Sequence, residues 1–302
     1  MSISFGRALK RVFFVTLTFL SVSNSSLAAV SCASSSAVRI NSLPYIITQA
    51  GTYCLAGSMY INQSGNNSAW SAVTIAASDV TLDLNRWAIN GPGAYGSNPS
   101  VSGYGVTVTN YAQNVTVRNG TLSGFLEGVS AWTNSGSNDV SGLVVEDMQI
   151  WAMGSAGVHV GFNSNCNGCI IRKNSISNIN ANYCTTCGGW SGAYGIRMER
   201  SNNLTVSNNI ITGVHSRGDL ASSGIYLYSG SNALVSDNIV SDTADSATPD
   251  TGILGFSYSN MTVNNNRINY FYRGIWYAYS TGTYSGNTIN QVTVPYKGGT
   301  AN

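Results

Sequence analysis

The sequence predicts an all-β solenoid, a single-stranded right-handed parallel β-helix of about eight coils behind an N-terminal cap segment. Three observations predict it. One short motif recurs from about Ala72 to the C-terminus. Its runs of three to five residues alternate apolar and polar side chains at a period of two, too short and too regular for helices. Gly or Asn closes each run, and a repeat of this size without helical periodicity is the mark of a solenoid. Clear copies read Asn203-Leu204-Thr205-Val206-Ser207-Asn208-Asn209-Ile210-Ile211 and Asn260-Met261-Thr262-Val263-Asn264-Asn265-Asn266-Arg267-Ile268, and each follows a Gly-led strand such as Gly195-Ile196-Arg197-Met198 or Gly252-Ile253-Leu254-Gly255.

Residues 1–28 read as a secretory signal: Arg7, Lys10 and Arg11 form a positive region, residues 12–22 an apolar run too short to span a bilayer, and Ser26-Leu27-Ala28 a small-residue cleavage site. Residues 29–71 form the cap segment and residues 72–302 the β-helix domain, with no Pro-rich or charged linker between them. Export implies a secreted or periplasmic protein, no membrane span in the mature chain, and an oxidising compartment. There the six cysteines read first as disulfides. Cys32 and Cys54 flank the cap. Cys166 and Cys169, with Cys184 and Cys187, carry the same expectation, and a structural zinc on these two C-x-x-C pairs is the alternative.

Of the 302 residues, 43% are hydrophobic and only 9% charged, which excludes a disordered chain and leaves amides and hydroxyls to solvate the surface. Without Arg7, Lys10 and Arg11, 11 basic residues face 12 acidic ones, a net charge of −1. Nucleic-acid binding needs a concentrated basic face and is excluded on that ground.

The repeat sets the coil. Ile89, Leu122, Ile150, Ile176, Ile211, Val240, Ile268 and Ile289 share one position; Val117, Val145, Ile171, Val206, Val235, Val263 and Tyr284 share another. Between them Asn174, Asn209, Asn238, Asn266 and Asn287 recur at intervals of 35, 29, 28 and 21 residues. Parallel coils stack like residues about 4.8 Å apart, so the asparagines are expected to form an amide ladder at a corner, in the left-handed geometry Asn tolerates. Sequons such as Asn114-Val115-Thr116 and Asn203-Leu204-Thr205 read as corner residues followed by outward threonines. Arg118, Glu146 and Arg172, with Asp147 beside Lys173, read as a structural charge column.

On these motifs, and on Gly51-Thr52-Tyr53-Cys54-Leu55 followed by Val80-Thr81-Leu82-Asp83-Leu84-Asn85, the chain resembles the pectate-lyase-like right-handed β-helix superfamily over residues 72–291. The resemblance implies the scaffold and an exported, polysaccharide-directed role. It implies no particular reaction: the polygalacturonase Asp-Asp pair, Gly-His-Gly and Arg-Ile-Lys are absent, as are a calcium-binding aspartate cluster and Trp-Ile-Asp-His. Asp83 reads as a turn or ladder residue.

Insertions at residues 91–103, 181–193, 214–223 and 243–250 all fall after the third strand, where a wall of loops is expected beside the next Gly-led strand. By alternation, the first outward position of that strand runs Thr107, Ser130, His159, Arg197, Tyr226, Leu254, Trp276, and the second runs Thr109, Trp132, Gly161, Glu199, Tyr228, Phe256. The candidate catalytic residues are His159, Arg197, Glu199 and Tyr226. Trp132, Tyr228, Phe256 and Trp276, with His215, Arg217 and Asp219 from a loop placed next to Arg197 and Glu199, are the candidate substrate-binding set. Rings with apolar faces and polar edges suit sugars. Arg197 would neutralise a uronate carboxylate while His159 or Tyr226 takes the adjacent proton, in a lyase- or epimerase-type reaction. Hydrolysis would need two flanking carboxylates, for which only Glu199 and Asp219 are placed. The alternative is a non-catalytic extracellular module that binds glycan. No cofactor is called for, with calcium as a second option and zinc at the paired cysteines as a third; the oligomeric state is open.

Overall fold

The computed structural model describes residues 32–61, 70–93, 103–109, 111–131, 139–161, 165–181, 192–216, 222–242 and 250–302. Residues 1–28, most of the four insertions, Trp132, Arg217, Asp219, Cys184 and Cys187 lie outside the described residues. Among those described, the regular elements are strands. Ten of them form one sheet, each parallel to the next in sequence order: Tyr45–Ile47, Ser71–Ile75, Tyr104–Val108, Glu127–Ala131, Ala156–Val160, Tyr194–Glu199, Ser223–Tyr228, Thr251–Phe256, Arg273–Ala278 and Val294–Lys297. A 21-stranded sheet, also paired in parallel, forms the rest of the wall.

The two apolar columns stack in register as the repeat predicts. Ile89, Leu122, Ile150, Ile176, Ile211, Val240, Ile268 and Ile289 form one unbroken ladder. Val117, Val145, Ile171, Val206, Val235, Val263 and Tyr284 form the other. All but Ile289 and Tyr284 are buried, and each sealed Ile or Val contributes roughly 1.5–3 kcal/mol. Ladders also run N-terminal of Ala72. Gly51–Leu55 pairs with Val80–Asp83, Val38–Ile40 pairs with Gly51–Leu55, and Cys32 is joined to Cys54.

The asparagine ladder is present, with one correction. Each Nδ2 donates to the Oδ1 of the next coil, at 3.0, 2.9, 2.9 and 3.0 Å from Asn174 through Asn287. A second Nδ2 bond reaches the carbonyl of Val145, Ile171, Val206, Val235 or Val263, each at 2.9 Å. The left-handed residue, however, is the one before: Lys173, Asn208, Asp237, Asn265 and Gly286 have φ between 54° and 61°. The ladder asparagine is thereby free to aim its amide inward. Sequon residues Asn114 and Asn203 are themselves left-handed, at φ 55° and 53°.

Along the charge column Arg172 pairs with Glu146 at 2.6 Å and Arg118 with Asp83 at 3.0 Å. Asp83 also accepts the Asn85 N–H at 2.8 Å, which fits a turn residue. Cys166 is joined to Cys169, so neither thiol is free to ligate a metal in this state. No helix among the described residues is long and apolar enough to cross a membrane.

Candidate functional site

The outward column of the ten-stranded sheet holds Thr74, Thr107, Ser130, His159, Arg197, Tyr226, Leu254, Trp276 and Lys297 in continuous register. Glu199, Tyr228, Phe256 and Ala278 stack beside it. A third column, through Tyr104, Glu127, Ala156, Tyr194, Ser223, Thr251 and Arg273, lies on the other side. Strict alternation would put Glu127 and Ser130 on opposite faces. The paired residues pass over Gly128, and a Cβ there would stand 2.6 Å from the Gly157 carbonyl oxygen and 2.7 Å from Ile150. Glycine lets the chain fold inward at that point, and Glu127 returns to the outer face.

Glu127 is the residue the sequence reading missed, and it anchors the site. Its Oε1 lies 2.7 Å from His159 Nδ1, and its Oε2 accepts the Ser130 hydroxyl at 2.6 Å. Both His159 and Glu127 are only 6% exposed. His159 Nε2, also buried, has no hydrogen-bond partner among the described residues and lies 3.8 Å from Glu199 Oε1. Arg197 Nε donates to that same Glu199 oxygen at 2.7 Å. The pair is partly buried rather than a surface ion pair, with side chains 19% and 13% exposed. Gly161 closes over it: a Cβ there would fall 2.4 Å from His159 Nε2 and 2.9 Å from Glu199 Cδ.

These contacts set the charges. Burial opposes a cation on His159, but the charge and hydrogen bond of Glu127, with Glu199 close to Nε2, outweigh it and Arg197, raising the ring to about 9. Burial likewise opposes the Glu127 carboxylate, and the His159 cation holds it below its ordinary value. Burial first, then the Tyr194 phenol, pushes Tyr226 up to about 12. The expected bases are thus an imidazolium and a neutral phenol at neutral pH, and each starts with its proton on.

Rings continue from this cluster along the coil axis. The Arg197 guanidinium lies 4.8 Å from the Tyr194 ring and 5.9 Å from Tyr226. Tyr194 and Tyr226 stack at 5.3 Å, Tyr226 and Tyr228 at 6.2 Å, and Phe256 follows at 5.7 Å. Tyr279, which is 87% exposed, ends the strip 5.5 Å from Phe256. Tyr194 and Tyr279 were not anticipated. Leu254 is buried although its register faces outward. Trp276 lies within 5 Å of both Arg273 and Lys297. His215 lies on the third-strand side, where its Nδ1 stands 3.3 Å from Asp242.

The fold compares with solved structures at low identity. The Dettilon tailspike protein aligns at 16% identity and TM-score 0.59 over 83% of this chain and 46% of its own. Tailspike protein 2 of bacteriophage CBA120 aligns at 13% and 0.56, over 87% and 42%. DFA-IIIase from Arthrobacter chlorophenolicus A6 aligns at 12% and 0.50, over 80% and 64%. The chain therefore spans less than half the length of these two tailspike chains. No curated protein matches it in sequence. The coils are those of a right-handed parallel β-helix, and residues 127–300, more than half of the chain, match the Beta_helix family, the right handed beta helix region; the chain belongs to that family.

Proposed function

We propose that the protein is exported and acts on an acidic polysaccharide by proton transfer, the chain lying along the aromatic strip with one uronate at Arg197. The observation that carries this reading is the cluster of Glu127, His159, Glu199 and Arg197 at the head of the strip, in which the buried His159 Nε2 has no hydrogen-bond partner among the described residues. An unmade buried hydrogen bond costs roughly 1–3 kcal/mol, and such defects gather where chemistry needs them. Export is supported by the signal-like residues 1–28 and by the disulfides Cys32–Cys54 and Cys166–Cys169.

His159 and Tyr226 stand one rung to either side of Arg197. A uronate carboxylate arriving at Arg197 competes with Glu199 for the guanidinium, and release of Glu199 uncovers Nε2. Neutral His159 then takes the proton next to the carboxylate, whose oxygens hold the electron pair as an enolate facing Arg197. Tyr226 gives its proton either to the leaving glycosidic oxygen, completing an elimination, or back to carbon from the opposite face, completing an epimerisation. Among the described residues no cluster of three or more His, Cys, Asp or Glu could hold a metal, and the steps assigned here call on none.

A second reading, a binding module without catalysis, is favoured by one observation: two cations and two carboxylates balance in the cluster, and Nε2 is covered in the free protein. One panel separates the two. The protein is incubated with alginate, polygalacturonate, hyaluronan and a neutral dextran, and ultraviolet absorbance, reducing ends and sugar configuration are followed. Turnover lost in His159→Ala supports the catalytic reading. Binding without turnover, kept in His159→Ala and lost in Tyr226→Ala, supports the module.

A further inference from the structure

A groove of about 750 Å³ opens at the corner that follows the Gly-led strands, and its lining includes Asp139, Asn165, Asn167, Arg200, Asn202 and Ser229. Arg200 and Ser229 come directly after Glu199 and Tyr228, so the groove begins where the outward columns of the ten-stranded sheet end. Asp139, Asn165, Arg200 and Ser229 stand on four successive coils, roughly 14 Å along the axis at the spacing of paired strands. Three of the amides are tied at one end. Asn165 Nδ2 donates to Asp139 Oδ1 at 2.6 Å, Asn167 Oδ1 accepts from Asn203 Nδ2 at 2.9 Å, and Asn202 Oδ1 accepts the Ser231 hydroxyl at 2.7 Å. The other ends, Asn165 Oδ1, Asn167 Nδ2 and Asn202 Nδ2, make no hydrogen bond to a described residue. They present one acceptor and two donors whose side chains are already held, and the Cys166–Cys169 bridge closes the short loop that carries Asn167.

The lining decides the class of ligand. An apolar molecule would strip water from the amides without replacing its hydrogen bonds. Asp139 opposes an anion and Arg200 opposes a cation, and the neighbouring stretches of sequence, residues 132–138 and 162–164, contain no ionisable residue. A hydroxyl both donates and accepts, so a row of hydroxyls meets both kinds of amide end. We propose that the groove is a second binding site, which takes a short neutral oligosaccharide through the corner amides and is separate from the aromatic strip. Its ligand carries no carboxylate, and the site stands whether or not the strip is catalytic.

The test is saturation-transfer NMR and calorimetric titration with neutral trisaccharides of glucose, galactose, mannose, rhamnose and N-acetylglucosamine. Asn167 and Asn202 are exposed, so their variants keep the fold, which melting checks. Affinity is expected to fall about two- to tenfold in Asn167→Ala and in Asn202→Ala, the scale of one hydrogen bond. Asn202→Asp keeps the acceptor used by Ser231 and removes only the outward donor, so it should lose as much as Asn202→Ala; a purely structural role for Asn202 would leave it at the wild-type value. Tyr226→Ala, on the strip, keeps the neutral ligand. Unchanged affinity in all three asparagine variants overturns the groove, and so does failure of the wild-type protein to bind any of the neutral trisaccharides. Loss in Tyr226→Ala with retention in the asparagine variants moves the ligand to the strip and also overturns it. None of these outcomes bears on the reading of the strip, which the acidic polymers decide.

Discussion

Burial opposes a charge on His159, yet the Glu127 carboxylate 2.7 Å from Nδ1 overrides it and keeps the ring protonated up to about pH 9. The folded ring titrates above its ordinary 6.5, so the stability from this pairing is fully present below about pH 6.5 and is lost as pH rises through 9. Glu127 runs the other way: its contribution is present above its ordinary 4.5 and is lost as the medium turns more acid. Melting temperature should therefore be highest between these limits and fall toward pH 10. Activity follows the opposite sign if neutral His159 is the base, with kcat/KM climbing up to about pH 9. In Glu127→Gln the charge is gone while burial remains, and the limb should move acidward by roughly two pH units. Paired pH–rate profiles decide this, and an unmoved limb in Glu127→Gln removes His159 as the titrating base. Gly161 gives a steric test of the same atom. A methyl at 161 would stand 2.4 Å from Nε2 and 2.9 Å from Glu199 Cδ, so Gly161→Ala should displace one of them. A loss of about 1–3 kcal/mol in stability is expected, together with loss of turnover, read by melting and by the ultraviolet assay.

At the scale of the element, the corner ladder ties one coil to the next, and its cost of removal depends on depth. Asn209 Oδ1 accepts both the backbone N–H and the Nδ2 of Asn174, at 3.1 and 3.0 Å, while its own Nδ2 satisfies the Ile171 carbonyl at 2.9 Å. Asn209 is fully buried, so Asn209→Ala leaves two donors and one acceptor with no water to replace it. The expected cost is about 3–4 kcal/mol. Asn287, in the last copy, is half exposed, and water can take over its bonds; Asn287→Ala should cost about 1 kcal/mol. Chemical denaturation of the two variants checks the contrast, and equal losses would mean that the ladder follows packing rather than carrying it. The ladder also shows where sequence reasoning stops. Recurrence of Asn at one position revealed the column, because like residues stack in parallel coils. The left-handed residue before it varies among Lys173, Asn208, Asp237, Asn265 and Gly286, so no repeated letter marked the corner.

Over the whole molecule, the coil and the outward column through His159, Arg197, Tyr226 and Trp276 were legible because a parallel solenoid turns sequence spacing into spatial register. Glu127 was not, since the inward fold at Gly128 puts it on a face that alternation denies it. Burial of His159 depends on neighbours from three separate coils, and the hold of Lys297 on Trp276 joins two, so neither leaves a local signature. The same one-dimensional stacking predicts how the protein opens. Each coil is supported by the coils it stacks on, so local stability follows how fully its inner columns are covered. The inner columns from Val145 to Val263 are fully buried, whereas Tyr284, Ile289 and Tyr296 in the last coil are only half covered. Among the described residues, strands Val294–Lys297 and Thr300–Ala301 each pair on one side alone. Hydrogen exchange followed by mass spectrometry should therefore show residues 282–301 exchanging first, and residues 144–268 only with global opening. Uniform protection from Val145 to Ala301 in the free protein would mean that the last coil is held by contacts beyond its single stacked neighbour.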